Sequence, residues 1–119
     1  MSTTTLALLA NLARRGFTVD DDRTAGALAA QAGAAPIQRD VTRCTVSSAA
    51  TASFILGDCL TNEADPLVWV LNDSPNTINV YPFVGQTMNG SLNAALTIAA
   101  GGFAFFSRTA LDWRGAVFT

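Results

Sequence analysis

The spacing of turn signals is what most limits the folds open to this chain. From Leu67 to Arg114, apolar segments of strand length alternate with turn-forming residues almost to the end of the sequence. Leu67-Val68-Trp69-Val70-Leu71 is a continuous apolar run ending at Asn72. It is short for a helix and rich in β-formers, which predicts a strand covered on both faces. In Ser74-Pro75-Asn76-Thr77, proline fixes φ at one central position and asparagine tolerates the next, so a β-turn is expected. Ile78 to Phe83 alternates, with Ile78, Val80 and Pro82 on one face and Asn79, Tyr81 and Phe83 on the other, and Pro82 belongs at a strand end or edge. Asn89-Gly90 suits a two-residue type I′ turn, whose central positions both need positive φ. Ala94, Leu96 and Ile98 then share a face. Phe103 to Ser107 sets Phe103 and Phe105 against Ala104 and Phe106, and Leu111 to Arg114 alternates apolar with charged. Short strands at this spacing predict an all-β protein, an antiparallel jelly-roll-like β-sandwich.

Asn72, Asn76, Asn79-Val80-Tyr81-Pro82, Gly85, Asn89-Gly90, Ala99-Ala100-Gly101 and Trp113-Arg114, taken in order, resemble a small β-domain pattern of tailed-bacteriophage virion proteins. Head decoration (cement) proteins and some fibre-like modules carry such a pattern. The resemblance covers roughly the last 50 residues, and its specificity lies in the order of the pieces. It implies a jelly-roll-like sandwich that assembles on a phage head against the major capsid protein, with no catalytic residues to carry over.

Half of the 119 residues are hydrophobic and only 13% are charged, against about 25% charged in an average soluble domain. A surface so poor in charge, on a chain this apolar, favours a protein that works assembled, as a homo-oligomer (dimer or trimer). A monomer coated in Ser, Thr, Asn and Gln is the alternative. The seven basic residues are all arginine and the net charge is −2, which argues against nucleic-acid binding through phosphate neutralisation. On a capsid such a protein belongs outside. The chain has no histidine and no lysine, which removes the commonest general base, the usual zinc sets, Schiff-base chemistry and the phosphate-loop lysine. The expectation is therefore no enzyme and no cofactor.

Residues 1–40 differ in kind from 41–119, and a helix and extended arm followed by a sandwich domain is the expected organisation. Ser2 to Thr5 offer helix caps before Leu6, Leu8, Leu9, Leu12 and Ala13, an apolar stripe of about three turns; Arg14, Arg15 and Gly16 suit its C-terminal end. So short a helix needs a docking partner, either its own sandwich or a neighbouring subunit. A signal peptide fits poorly because no basic residue precedes the apolar stretch, and no segment approaches a membrane span. Asp20-Asp21-Asp22 reads as an N-terminal cap for the Ala-rich segment Arg23 to Ala32, with a divalent cation site as the alternative. If not helical, that segment is an extended arm. Gly33 and Pro36 mark a linker.

Val41 to Ser47 and Phe54 to Leu60 read as two strands paired about a small-residue turn, which sets Cys44 opposite Cys59. A disulfide between directly paired strands is strained, so buried free thiols are expected, in keeping with assembly in the host cytoplasm. Asp58, Glu63 and Asp65 cluster in a loop with Asn62, either a wet connection or a site for calcium or paired carboxylates. Trp69, Phe103 and Phe105 are assigned to the core. Leu6, Leu9, Leu12, Phe17, Tyr81, Phe83 and Trp113 are the candidate attachment residues, with Tyr81, Phe83 and Trp113 read as core or subunit interface. The functional expectation is a structural virion protein, a capsid decoration subunit on the outer surface of the head. Its rival is a fibre-like or lectin-like module that stacks a glycan on Tyr81 and Trp113.

Overall fold

A computed structural model describes Ala7, Ala10, Asn11 and residues 14–28, 30–48, 52–59, 67–110 and 112–119. Over these residues the chain is all-β. Its strands are β1 (Val19–Thr24), β2 (Ala35–Pro36), β3 (Val41–Val46), β4 (Ser53–Ile55), β5 (Leu67–Asn72), β6 (Ile78–Tyr81), β7 (Thr87–Met88), β8 (Ser91–Leu92), β9 (Leu96–Ile98), β10 (Phe103–Arg108) and β11 (Asp112–Phe118).

From β1 to β6, successive strands do not fold back on each other; they step from one sheet to the other. Sheet order is β1-β3-β5-β10-β11-β7-β8 in the larger layer and β2-β4-β6-β9 in the smaller. β1, β3 and β5 run parallel, and so do β2, β4 and β6. The first three strand pairs are thus three stacked coils of a two-sheet β-solenoid, each adding one rung to each layer. The expected antiparallel jelly-roll-like sandwich is corrected by this parallel pairing. Local turn chemistry marks a reversal of direction without stating whether the next strand joins the same sheet or the facing one.

The Ser74-Pro75-Asn76 turn shows the difference, because it is a corner between layers and no hairpin. Asn76 Nδ2 donates to the Ser47 carbonyl of the coil below at 3.0 Å, and the Ser47 and Ser74 hydroxyls meet at 2.8 Å. Polar side chains stacked from one coil to the next satisfy backbone groups that a corner cannot pair within a sheet. One coil further down, Gly26 and Ser53 exchange both backbone hydrogen bonds at 2.8 Å. Glycine is required at position 26, since a Cβ there stands 2.2 Å from the Gly33 carbonyl oxygen and 2.9 Å from the Ala35 nitrogen.

The last third of the chain closes the stack. β9 pairs antiparallel with β6 and β10 antiparallel with β5, ending both layers of coils with reversed strands. β11 pairs antiparallel with β10, and β7 lies parallel to β11. The Asn89-Gly90 turn is the one the sequence predicts: φ is 51° and 85°, and Thr87–Leu92 and Met88–Ser91 face each other across it.

The core lies between the layers. Phe54, Leu56, Val70, Ile78, Val80, Ile98, Phe106 and Trp113 are sealed from solvent, and Trp113 Nε1 donates to the Gly57 carbonyl at 3.1 Å. Trp113 is therefore a core residue; the attachment role expected of it is corrected. Its neighbours on β11 face outward at Asp112 and Arg114, so strand alternation alone turns the indole inward.

β1 (Val19–Thr24) and β2 (Ala35–Pro36) belong to the two sheets as the first coil, where the sequence predicts an arm and linker. Asp20-Asp21-Asp22 lies in β1, where a helix cap was expected. Asp20 pairs with Arg23 at 2.8 Å, Asp21 with Arg43 at 3.2 Å, and Asp22 accepts from the Thr45 hydroxyl. No helix stands among the elements of the described chain. The expected N-terminal helix falls largely outside the described residues, including Leu6, Leu8, Leu9, Leu12 and Ala13. Ala7, Ala10, Asn11 and Arg14 have helical backbone and are exposed. Cys44 and Cys59 are free, buried thiols. They are not cross-strand partners, because β3 and β4 lie in different sheets and Cys44 faces Arg23 and Asn72 in the register.

Candidate interaction surfaces

The outer face of the larger sheet carries an aromatic cluster. Alternation turns Val68, Val70, Ala104 and Phe106 into the core, which sends Leu67, Trp69, Leu71, Phe103 and Phe105 to the outside. Register then lines them up across strands: Val19, Val41, Trp69, Phe105 and Ala116 form one row, and Arg43, Leu71, Phe103 and Phe118 the next. Trp69 packs on Phe105 with ring centres 4.8 Å apart and on Phe103 at 6.3 Å, while Phe103 stacks on Phe118 at 5.2 Å. Under this layer Val41 and Leu71 are sealed by Phe17, Val19, Trp69 and Phe103. The rings above remain half-buried, with Phe118 48% and Leu67 40% exposed. The core assignment of Trp69, Phe103 and Phe105 is corrected accordingly.

Charged groups bound this face. Arg43 Nε meets Asp73 Oδ2 at 2.8 Å, and its Nη1 meets Asp21 Oδ1 and the Asp21 carbonyl. Burial works against the Arg43 charge, but the two carboxylates outweigh it and hold the guanidinium above its ordinary pKa. On the other side Arg114, well exposed, lies against Asp112.

The chain enters along this same face. Thr18 donates through its N–H and hydroxyl to Asp40 Oδ2 at 2.8 and 3.0 Å, and the Asp40 N–H donates back to Thr18 Oγ1 at 3.1 Å. That clasp fixes Phe17 on the aromatic cluster. Leu6, Leu9 and Leu12 precede it and lie outside the described residues.

A second apolar surface sits at the end of the larger sheet. Phe83, Val84 and Leu92 are 40%, 61% and 66% exposed on one loop and hairpin. Asn93, at φ 54°, organises it: its Oδ1 accepts from the Gly85 N–H at 2.7 Å and from Gln31 Nε2 at 3.0 Å, and Gln31 also reaches the Pro82 carbonyl. From Ser74 to Ser107 the sequence contains no charged residue. That charge-free run is the sequence signal for this surface. Tyr81, on the smaller sheet, is half-buried.

The remaining candidates do not converge. Asp58 accepts from Gln86 Nε2, while Gln86 Oε1 accepts from the Cys59 N–H at 3.0 Å, so the carboxylate is engaged in holding a loop. Glu63, Asp65 and Asn62 lie outside the described residues, and among the described residues no group of acidic and thiol side chains has metal-binding geometry. The stacking platform of Tyr81 with Trp113 is not formed, since Trp113 is fully buried. Among the described residues no helix is long and apolar enough to cross a membrane. No family model, curated protein or solved structure matches this chain, so its role is read from its own geometry.

Proposed function

We propose that this all-β chain is a structural assembly protein that attaches through the outer face of its larger sheet, and that the assembly is a phage head decorated on its outer surface. The observation that carries the reading is the half-exposed cluster of Trp69, Phe103, Phe105 and Phe118 over a sealed Val41 and Leu71. Aromatic residues packed at a fixed geometry and ringed by arginine are what the centre of a protein interface needs: large contact area, little side-chain entropy to lose and a polar rim.

Area decides how the face is used. Four strands about 4.8 Å apart and six residues long span roughly 20 Å by 20 Å, about half of the ~800 Å² that each partner of a stable complex commonly buries. The face therefore needs an extension, and the segment ahead of Phe17, carrying Leu6, Leu9 and Leu12, supplies it in this reading. Joining copies into a homo-oligomer gains avidity on a repeating lattice of major capsid protein. The net charge of −2 suits the outside of a head better than its DNA-filled interior.

The test is co-sedimentation of the protein with undecorated heads, comparing wild type with Phe105→Ser, Phe118→Ser and a deletion of residues 1–16. Saturable binding that each change weakens at least tenfold is expected. Heads that take up no protein at micromolar concentration, or that bind all three variants as well as wild type, rule the reading out.

A further inference from the structure

The chain reaches β1 by way of the aromatic face. We propose that the stretch ahead of it, residues 6–15, docks as a helix on that face of its own chain, with Leu6, Leu9 and Leu12 seated over Trp69, Leu71 and Phe103. The inference deepens the attachment reading and rests on it for what the covered face does, while its test needs no heads.

Helical periodicity supplies the docking side. Ala7, Ala10, Asn11 and Arg14 have helical backbone and are exposed, at the i, i+3, i+4, i+7 spacing of one helix face. The Arg15 N–H donates to the Asn11 carbonyl at 3.2 Å, and Arg14 Nη2 donates to Asn11 Oδ1 at 3.0 Å. On the same wheel positions 6, 9, 12 and 13 fall on the opposite side, and the sequence puts Leu, Leu, Leu and Ala there. So short a helix is marginal unless its apolar side meets a surface.

The point of entry names the surface. Only Gly16, at φ 88°, separates Arg15 from Phe17, and Phe17 packs with Val19, Trp69 and Phe103 over Val41 and Leu71. The Thr18–Asp40 clasp lies directly behind it and keeps the tether on the face. A tether this short gives the segment an effective concentration in the millimolar range, which favours its own chain over a second copy.

The dimensions agree. As a helix, residues 6–15 are about 15 Å long and about 10 Å wide, against four strands about 4.8 Å apart that run roughly 20 Å. The segment therefore covers about half the face. The half beside Phe17 lies under it, and Ala116 and Phe118 on β11 stay open, Phe118 being 48% exposed. A head then meets the outer side of the helix together with the uncovered rings, the wider contact that the bare sheet lacks.

Amide hydrogen exchange on the full chain at about 1 µM, far below the millimolar effective concentration of the tether, tests this. In wild type, amides of residues 6–15 should exchange at least about tenfold more slowly than in an undocked helix of this length. Leu9→Asp should abolish that protection, and so should Phe103→Ser, with protection of β3 and β5 unchanged in both. Acrylamide quenching reads the other side of the contact: Trp113 is sealed in the core, so deleting residues 1–16 should raise quenching through Trp69 at least about twofold. Amides of 6–15 that exchange at unprotected rates in wild type overturn the proposal. Protection that survives Phe103→Ser does so too, because the segment is then seated elsewhere, and so does protection that appears only as concentration rises, because a second copy then supplies the surface. Heads that take up no protein whose segment is protected count against the attachment reading alone and leave the docked segment standing.

Discussion

Asn72 Nδ2 donates to the Ile98 carbonyl at 2.9 Å, tying the last residue of β5 to the strand that closes the smaller sheet. The same amide donates to the Asn76 carbonyl at 2.8 Å, and Asn72 Oδ1 accepts from the N–H and hydroxyl of Ser74. The side chain is sealed from solvent with both ends of its amide occupied. It holds a corner of the solenoid and the cap on its end together.

Replacing Asn72 tests that role. Asn72→Leu, close in size, takes the amide from the Ile98 and Asn76 carbonyls and the acceptor from the Ser74 N–H, and should cost about 2 to 4 kcal/mol. Asn72→Asp keeps the acceptor for Ser74 but points a second oxygen at two carbonyl oxygens, so it should lose as much despite its near-identical shape. Urea denaturation followed by tryptophan fluorescence reads both; a midpoint unchanged in either variant contradicts the role.

The place where the folded unit begins gives a second prediction. β1 pairs with β3 along its length, and β2 with β4. Deleting residues 1–16 leaves the Thr18–Asp40 clasp and every strand in place, and the product should melt cooperatively. Deleting residues 1–36 removes a whole coil and bares β3 and β4 as edges, and should give an aggregating or unfolded product. Gly26→Ala should partly reproduce the second outcome, since its Cβ collides with backbone that cannot swing aside. Amide hydrogen exchange across 19–37 would show the first coil opening in Gly26→Ala; protection equal to wild type there would refute it.

The two thiols give a third. Burial raises the pKa of both Cys44 and Cys59; Arg108 near Cys59 opposes this without reversing it. With little thiolate at neutral pH and little access, both should resist an aromatic disulfide reagent in the native state and react in 6 M guanidinium at rates typical of free cysteine. Fast titration of either thiol in the native protein would contradict the packing of β3 or of the loop that Gln86 holds.

Strand positions were legible in the sequence because apolar runs and turn residues act locally. β5, β6, β10 and the Asn89-Gly90 hairpin fall close to where they were expected. Topology was not legible. A corner such as Ser74-Pro75-Asn76 and a hairpin turn use the same residues, and what separates them is the stacking of Ser47 under Ser74 and Asn76, a contact between coils distant in sequence. Which face of β5 and β10 points inward was equally hidden. Trp69, Phe103 and Phe105 are as apolar as Val68, Val70 and Phe106, so alternation gave the two sets without saying which was buried. The structure puts the larger aromatic set outside, and that inversion turns a supposed core into a candidate interface.

Asp112 gives the pH dependence. Desolvation raises its pKa, but hydrogen bonds from the Thr87 hydroxyl and the Gly90 N–H, with Arg114 alongside, more than offset this and hold the carboxyl below its ordinary value. These partners belong to the β7–β8 hairpin and to β11, so the carboxylate pins the hairpin to the sheet. A group whose folded pKa is depressed contributes stability that is full above its unfolded pKa, near 3.8, and is lost as pH falls through the folded value. Wild type should therefore hold its melting temperature down to about pH 5 and lose it below about pH 4. Asp112→Asn should melt lower than wild type at pH 7, and the gap should narrow as pH falls below about 3.8, because only wild type has that charge to lose. Parallel melting curves for the two proteins, offset by the same amount from pH 7 to pH 3, would show that Asp112 acts by shape and not by charge.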